Sequence, residues 1–220
     1  MEPDTWKYQR RRARLVESLR VKGITDEGVL EAINRVPRHR FVDPALVARA
    51  YEDEALPIGL KQTISQPFTV AYQTELLGAK AGDRILEIGT GSGYQAAVLC
   101  ELGCTVYSIE RLQPLYERTR TLLNELGYRV ITTLADGTDG WATFAPFDGI
   151  VVTAGASNVP DALLEQLALP EGDDPGGTLI IPVGGDAGQT MYRITRTGEK
   201  TFSREKSEDF LFVPLVRENG

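Results

Sequence analysis

A glycine-rich turn in the middle of the chain has a spacing suited to ligand binding. Gly89, Gly91 and Gly93 stand at alternate positions between a predicted strand, residues 84–88, and a predicted helix. Such a turn brings backbone N–H groups and a helix N-terminus close to a ligand. The third glycine comes one residue earlier than in the dinucleotide fingerprint, and Glu87 lies two residues before the first glycine. Because a carboxylate attracts a cation and repels a pyrophosphate, the turn favours S-adenosylmethionine over NAD.

Three acidic residues come at the ends of consecutive predicted strands. Glu87 closes the first strand, Glu110 closes the second, and Asp136 follows the third. In a doubly wound sheet these strand ends share one edge, where ligands bind. The spacing of Glu110 suits a ribose contact, whereas Asp136, followed by the permissive Gly137, is a candidate acceptor for an adenine amino group. Candidate apolar walls for the purine are Ile109, Leu112, Ala135 and Trp141.

The predicted strands that position these acids alternate with predicted helices. Strand candidates are residues 84–88, 105–109, 130–134, 148–153 and 178–183, and helix candidates are residues 95–102, 114–126, 137–141 and 160–169. This alternation predicts a parallel sheet that is covered on both faces. The connection after Val183 is too short for a crossover helix. We therefore expect the last strands, residues 189–196 and 210–216, to pair antiparallel.

The first 80 residues are predicted to be mainly helical. Helices are expected at residues 7–20 and 26–36, a short helix begins at Asp43 and Pro44, and residues 51–61 have a loop-like pattern. A further helix runs from about residue 66 to residue 78. We predict one α/β domain over residues 1–220 with a Rossmann-like, doubly wound fold. Its parts are a helical cap with a substrate loop (1–80), a cofactor-binding core (81–183) and antiparallel C-terminal strands (184–220).

Composition narrows the possible partners and the compartment. The formal net charge of −7 disfavours nucleic acids and anionic membranes. No apolar run approaches the ~20 residues of a spanning helix, and no secretory signal is expected at the N-terminus. Cys100 lies at the end of a predicted helix and Cys104 at the start of a predicted strand, so both are predicted to be buried, reduced thiols. They are not expected to form a metal site, because no nearby histidine or third thiol completes one. The single histidine, His39, is interpreted as a surface residue. We therefore expect a cytoplasmic protein without a metal.

A polar loop at residues 62–67 precedes the predicted helix that begins at Pro67. By local rules Ser65 or Gln66 caps this helix. Together with further motifs, this loop resembles the protein-L-isoaspartate O-methyltransferase family. The matching motifs are residues 36–42 (Val-Pro-Arg-His-Arg-Phe-Val), residues 62–67, the glycine turn at 86–95, Glu110, Asp136-Gly137, residues 147–154, and residues 212–215 (Phe-Val-Pro-Leu).

The resemblance covers roughly residues 8 to 217, with the motifs in the family's order. Residues 63–67 and 212–215 are its most specific motifs, because many methyltransferases share the glycine turn. Two departures are visible. Residues 169–175 resemble a small acidic insertion, which is expected to alter an exposed loop. Leu211 stands where bacterial members often carry arginine, and this places substrate preference in question.

The resemblance implies a class I methyltransferase fold and a defined reaction. The methyl group of S-adenosylmethionine is transferred to the α-carboxylate of L-isoaspartyl residues in damaged proteins, leaving S-adenosylhomocysteine and an ester that cyclises to a succinimide. A carboxylate with a pKa near ~4 is already ionised at pH 7, so no general base is required. This agrees with a sequence that offers no clear histidine or cysteine catalyst.

The resemblance also implies roles for individual residues. Ser65 would orient the substrate carboxylate, and the neighbouring substrate-binding residues would be Thr63, Ile64 and Gln66. Cofactor-binding residues would be Glu87, Gly89, Thr90, Gly91, Gly93, Glu110, Asp136 and Gly137. Main-chain groups of the peptide substrate would be met by Val213, Pro214 and Leu215.

Other functions remain open from the sequence. A methyltransferase with this scaffold that acts on one dedicated peptide or small-molecule carboxylate would be expected to need an additional domain or tail. A non-catalytic cofactor-binding module would be expected to have lost Ser65 or the glycines, and all are present. An NAD-dependent oxidoreductase is disfavoured because no second nucleotide-binding half is visible. We expect a monomer, since no apolar face is left without a partner.

Overall fold

The computed structural model describes residues 3–172, 175–185 and 187–216. Its N-terminal part contains the predicted helices α1 (Trp6–Val21), α2 (Glu27–Arg35) and α3 (Pro67–Leu77), with 3₁₀ turns at Arg38–Arg40 and Pro44–Arg49. The Asp26 carboxylate caps α2 by accepting a hydrogen bond from the Val29 N–H (3.1 Å). Gly78 ends α3 in the left-handed conformation that glycine favours at this position.

Residues 51–61 contain part of a β-hairpin that the sequence did not predict. Strand β1 (Leu56–Gly59) pairs antiparallel with β2 (Gln62–Ile64). Both strands are very short, and the turn places Leu60 and Lys61 at φ values of 52° and 58°. Such turns normally carry glycine or asparagine, so no local signal marked the hairpin. It holds residues 62–64 beside the glycine turn.

The core is the predicted alternation of strands and helices. Its elements are β3 (Arg84–Ile88), α4 (Tyr94–Glu101), β4 (Thr105–Glu110), α5 (Gln113–Glu125), β5 (Val130–Leu134), β6 (Gly149–Val152), α6 (Asp161–Glu165) and β7 (Thr178–Gly185). Five parallel strands are ordered β5-β4-β3-β6-β7. The chain builds outward from β3 in one direction and then returns to the other side of β3 with β6. This change of direction opens a crevice at the carboxyl ends of the strands.

Alternate residues of β3 face opposite sides of the sheet. Leu86 and Ile88 pack in one apolar cluster, and Ile85 packs in another with residues of α3 and α4. Glu87 shares the face of Ile85, because side chains alternate along a strand. The sequence therefore places one carboxyl group under α4, among apolar neighbours.

The sheet ends in two antiparallel strands, β8 (Gly188–Arg196) and β9 (Phe202–Phe210). The predicted final strand at residues 210–216 is wrong, because β9 ends at Phe210 and the chain then leaves the sheet. Most β9 side chains between the two phenylalanines are exposed and polar. An edge strand protected by charges has no apolar alternation for sequence reasoning to detect.

Two further boundaries differ from the predictions. Helix α6 ends at Glu165, earlier than the predicted residue 169, because the chain extends to form a bridge between Leu167 and Phe147. Of the acidic stretch 169–175, Asp173 and Asp174 lie outside the described residues. Within the described ranges, no helix is both long and apolar enough to cross a membrane.

Candidate functional site

A cleft opens at the carboxyl ends of β3, β4 and β6, where the order of the strands reverses. Its walls come from the β1–β2 hairpin, the glycine turn, the ends of three strands and the segment after β9. The predicted site residues that line it are Thr63, Ile64, Ser65, Glu87, Gly89, Thr90, Gly91, Glu110, Gly137, Val213, Pro214 and Leu215. Three predicted site residues, Gln66, Gly93 and Asp136, are outside this lining. Sites that are far apart in the sequence thus converge on one cleft.

Asp53 positions the loop that carries Ser65. Its carboxylate accepts hydrogen bonds from the Phe68 N–H (2.8 Å) and the Gln66 side-chain amide (3.1 Å), and it forms an ion pair with Lys22. The cap predicted from Ser65 or Gln66 is therefore absent: Gln66 occupies the N-cap position of α3 without a side-chain cap bond. Instead of entering the cleft lining, the Gln66 amide ties the start of α3 to Asp53.

The glycine turn is held by β4 as well as by its own conformation. The N–H groups of Gly89 and Thr90 donate to the Ile109 carbonyl (2.9 and 3.1 Å). Gly89 and Gly91 have φ values of 96° and 52°, where a side chain is unfavourable. Gly93, at φ 85°, differs: a Cβ atom there would lie 2.7 Å from Cγ2 of Thr119 on α5. Gly93 thus permits packing between α4 and α5.

Glu87 is a fully buried carboxyl group in the cleft lining. Oε2 accepts a hydrogen bond from the Ser108 hydroxyl, and Oε1 has no hydrogen-bond partner among the described residues. Burial raises the pKa of Glu87 to about 8; the Ser108 hydrogen bond opposes this shift and the charge of Glu110 adds to it. A buried carboxyl with one unsatisfied oxygen suits a cationic ligand.

Glu110 and Asp136 organise the edge of the cleft in different ways. Glu110 lines the cleft and accepts hydrogen bonds from the N–H groups of Gly91 (2.8 Å) and Leu112 (2.9 Å). Asp136 instead accepts from the backbone N–H and the hydroxyl of Thr138, both at 2.8 Å, and caps the next 3₁₀ turn. Gly137 does line the cleft, and a Cβ atom there would collide with Ile88.

Some predicted apolar walls lie elsewhere. Ile109 and Leu112 line the cleft, but Ala135 and Trp141 are not among its lining residues. Trp141 packs edge-on against Phe144, with ring centroids 4.9 Å apart. A strand-end pattern places residues on an edge but does not determine which of them face the ligand space.

The structure corrects the interpretation of His39 as a surface residue. Its side chain is buried, stacks on Tyr8 with ring centroids 4.0 Å apart, and has Nδ1 2.7 Å from the Tyr51 hydroxyl. The adjacent Arg38 is fully buried, and its guanidinium lies 4.8 Å from the centroid of the Tyr94 ring. Burial lowers the pKa of Arg38 to about 10. These two residues hold the helical cap, although their basic sequence context suggested exposure.

Sequence reasoning also missed residues of the cleft. Tyr94, whose ring contacts Arg38, lines the cleft, and so does Thr153, which follows β6. The Thr153 hydroxyl donates to the carbonyls of Ile88 (3.0 Å) and Gly89 (2.7 Å), which joins β6 to the glycine turn. The position of Thr153 after a fourth parallel strand was the available signal, because such strand ends share one edge.

The two cysteines are free and partly buried. Burial raises the pKa of each thiol to about 12, so both are protonated at neutral pH. Among the described residues, no group of three or more histidine, cysteine, aspartate or glutamate side chains could hold a metal ion.

Comparison with known proteins agrees with this geometry. A sequence model described as protein-L-isoaspartate(D-aspartate) O-methyltransferase matches residues 10–220. A Salinibacter ruber protein-L-isoaspartate O-methyltransferase is 61% identical over 98% of this chain and 96% of its own length. The Christiangramia forsetii enzyme of the same name is 50% identical over 99% of both chains.

A solved structure has the same overall arrangement. It is a Plasmodium falciparum protein assigned as a protein-L-isoaspartate O-methyltransferase, in complex with S-adenosyl-L-homocysteine. Its TM-score is 0.79 at 25% identity, and the match covers 93% of this chain and 98% of that one. With a family match that spans nearly the whole length, the chain belongs to the protein-L-isoaspartate(D-aspartate) O-methyltransferase family.

Proposed function

We propose that the cleft between the β1–β2 hairpin and the glycine turn is the active site, with Ser65 as the residue that orients the substrate carboxylate. The protein is an S-adenosylmethionine-dependent protein-L-isoaspartate O-methyltransferase, which methylates isoaspartyl residues in damaged proteins and so initiates their repair through a succinimide. The observation that carries the residue assignment is that Ser65, Glu87 and Gly91 line one cleft.

The residues present fit the cofactor. Glu87 offers an unsatisfied buried oxygen to a cationic group, and Gly89 and Gly91 allow close approach of the backbone. Glu110 lies at the cleft edge, where we assign it to the ribose, and the turn at Asp136 and Gly137 is assigned to the adenine. S-adenosylmethionine supplies an electrophilic methyl group on a positively charged sulfur. The protein binds and orients the cofactor and the substrate and excludes water from them.

Ser65 is assigned to the substrate because of its place in the cleft. It follows β2 and precedes α3, and the α3 start is held by Asp53 through Phe68 and Gln66. Its hydroxyl can donate to a carboxylate oxygen, which is already the nucleophile at neutral pH. Orienting that oxygen toward the methyl group is then the main catalytic task of this residue. Thr63 and Ile64 form the adjoining wall, and Gln66 acts as support.

Residues 213–215 form the wall assigned to the peptide. The Gly155 N–H donates to the Val213 carbonyl (2.8 Å), and the Leu215 N–H donates to the Gly155 carbonyl (2.7 Å). These bonds attach the segment to the loop that follows β6, so only its remaining main-chain groups are available to a peptide. A wall that offers backbone groups suits recognition of an altered backbone in many sequence contexts.

We also propose that the protein acts as a cytoplasmic monomer without nucleic-acid or membrane partners. The net charge of −7 supports the exclusion of polyanionic partners. Sedimentation at micromolar concentration in the presence of an isoaspartyl peptide tests the monomer, and a sedimentation coefficient of a dimer would contradict it.

The proposed function is tested with two synthetic peptides that differ only in one L-isoaspartyl or L-aspartyl linkage. Each is incubated with the protein and S-adenosylmethionine, and mass spectrometry follows the methyl ester and its succinimide. Methylation is expected for the isoaspartyl peptide alone. If S-adenosylhomocysteine binds but neither peptide reacts, a dedicated substrate replaces the general one.

The role of Ser65 is tested by comparing Ser65→Ala with Ser203→Ala, which removes a hydroxyl from the exposed strand β9. Losing a hydrogen bond to a charged group costs about 1.5–3 kcal/mol, so kcat/KM is expected to fall about 10- to 150-fold only in Ser65→Ala. The affinity for S-adenosylhomocysteine, measured by calorimetry, is expected to be unchanged in both variants. An equal loss of cofactor affinity in Ser65→Ala would remove Ser65 from the peptide side of the cleft.

A further inference from the structure

Glu87 is isolated from water although it lines a ligand-binding cleft. Its side chain is 0% exposed and lies on the sheet face that α4 covers. The Ser108 hydroxyl donates to Oε2, and Oε1 has no partner among the described residues. The N–H of Ala96, in the first turn of α4, makes only a small favourable contribution to the carboxylate. The groups in place therefore satisfy at most half of the hydrogen-bonding capacity of a carboxylate.

The charges around Glu87 also disfavour its ionised form. On β4, Glu110 adds a like charge, and Ser108 is a neutral donor. On α4, the Cys100 thiol is a titratable group whose own pKa the charge of Glu87 helps to raise. On β6 the register partner is apolar Val151. No cation among the described residues contributes to the pKa of Glu87.

Burial without a counter-charge is far more costly for a carboxylate than for a carboxylic acid. With a pKa of about 8, Glu87 holds its proton at pH 7 in the ligand-free protein. A cation placed against the free oxygen reverses this preference, because an opposite charge within a few ångströms favours the ionised form. The methionine end of the assigned cofactor carries two cationic groups, the ammonium and the sulfonium, beside its own carboxylate. S-adenosylhomocysteine keeps the ammonium but lacks the sulfonium charge.

We propose, building on the cofactor assignment above, that Glu87 is a carboxylic acid in the ligand-free cleft and that binding of the cofactor's cationic end ionises it, releasing one proton. The O–H bond of Glu87 breaks, its electron pair stays on the carboxylate, and the proton passes to the solvent buffer. The hydroxyls of Ser108 and Thr90 are hydrogen bonded to each other (2.6 Å), and Thr90 lines the cleft. These hydroxyls connect Glu87 to the ligand space.

Because of this coupling, Glu87 would both bind the cofactor and discriminate between ligands with and without an ammonium group. A ligand whose amino-acid end carries an ammonium group gains a carboxylate partner, whereas an adenosine ligand without an ammonium group leaves the acid protonated. Below about pH 8, binding of a ligand whose ammonium group contacts Glu87 must also remove the proton. Its dissociation constant is therefore expected to fall about tenfold for each pH unit from 6 to 7 and to level off near pH 8.

The experiment is titration calorimetry of S-adenosylhomocysteine at pH 6.5 in buffers of different ionisation enthalpy. The slope of binding enthalpy against buffer enthalpy counts the protons released. We expect about one proton for the wild-type protein and about none for Glu87→Gln. The variant also serves as a control, because any proton released by the ligand's own groups would be counted in both proteins. 5′-Methylthioadenosine, which lacks the amino-acid end, is expected to release none from either protein.

Two measurements keep the test informative if Glu87→Gln folds poorly. The infrared band of a protonated carboxyl group is expected in the ligand-free wild-type protein and is expected to disappear when S-adenosylhomocysteine binds. Ser108→Ala removes the hydrogen bond that stabilises the carboxylate, so the plateau in affinity is expected to move to higher pH. Binding without proton release, or equal release in wild type and Glu87→Gln, would overturn this inference alone. Failure of S-adenosylhomocysteine to bind would overturn the cofactor assignment with it.

Discussion

Replacing Gly93 by alanine is expected mainly to lower stability, whereas replacing Gly91 by alanine is expected mainly to weaken cofactor binding. At both positions φ is positive, at 85° and 52°, which costs an L-residue about 1–2 kcal/mol. At Gly93 the added Cβ also lies 2.7 Å from Cγ2 of Thr119 and 3.2 Å from Leu123. Overpacking of this kind costs a further ~1–3 kcal/mol. At Gly91 the nearest atom is Cδ1 of Ile58 at 3.8 Å, an ordinary contact.

The free energy of unfolding is therefore expected to fall by about 2–5 kcal/mol in Gly93→Ala and by about 1–2 kcal/mol in Gly91→Ala. For a domain of this size each kcal/mol lowers Tm by about 2–4 °C, so Gly93→Ala is expected to melt about 4–20 °C below wild type. Cofactor affinity is expected to show the reverse order. Gly91 lines the cleft and Gly93 does not, so Gly91→Ala should weaken binding of S-adenosylhomocysteine about 5- to 150-fold, for a cost of about 1–3 kcal/mol.

Both quantities are measured on the same samples, Tm by calorimetric scanning without ligand and affinity by titration well below the lower Tm. Gly82→Ala is a suitable third variant, because its φ is 95° and no atom lies within 4 Å of the added Cβ. Its loss of stability estimates the conformational cost alone. If Gly93→Ala and Gly82→Ala lose equal stability, α5 yields to the methyl group and the packing role of Gly93 is refuted. If Gly93→Ala loses affinity as strongly as Gly91→Ala, the distinction between the two glycines is also wrong.

Three further outcomes are expected. Asp53→Asn should lower Tm by about 2–4 °C and raise the KM for the peptide without changing the affinity for S-adenosylhomocysteine, because Asp53 caps α3 beside Ser65. Glu31→Gln is the control, because it disrupts only an exposed ion pair. A change confined to cofactor affinity would refute the positioning role of Asp53. Asp136→Ala should weaken cofactor binding by about 1–3 kcal/mol, whereas Thr138→Val, which keeps the carboxylate, should weaken binding less. Unchanged cofactor affinity in Asp136→Ala would show that Asp136 is not part of the site. The unfolded state releases the Glu87 proton near pH 4.3 and the folded state near pH 8, so folding opposes ionisation between these values. Without ligand, the Tm of Glu87→Gln minus the Tm of wild type should therefore increase as pH rises from 5 to 8. A difference that does not change with pH would contradict a buried, protonated Glu87.

Local signals predicted much of the fold and part of the cleft. The alternation of apolar strands with helices predicts a parallel sheet, in which the acids at the strand ends share one edge with the glycine turn. Glu87, Glu110 and Gly91 are brought together for that reason. Ser65 and Leu215 came from a resemblance to a family, since neither has a local pattern that indicates chemistry. The structure places both in the lining of the same cleft.

Features that depend on distant contacts could not be predicted. Strand β9 exists because β8 offers it backbone hydrogen bonds, although its own side chains are polar. His39 is buried because α1 supplies Tyr8 as a stacking partner, and basic neighbours say nothing about such a partner.

The sequence by itself determined the periodicities, the turn-forming glycines and the order of the acids, because these depend on residues within about one helical turn or one strand of each other. The tertiary structure decided which groups lose contact with water. Glu87 becomes a buried acid through α4 and Ser108, and Gly93 becomes a packing residue through Thr119 of α5. Burial is a property of the assembled neighbours, and it controls both the protonation of a carboxyl group and the space available to a methyl group.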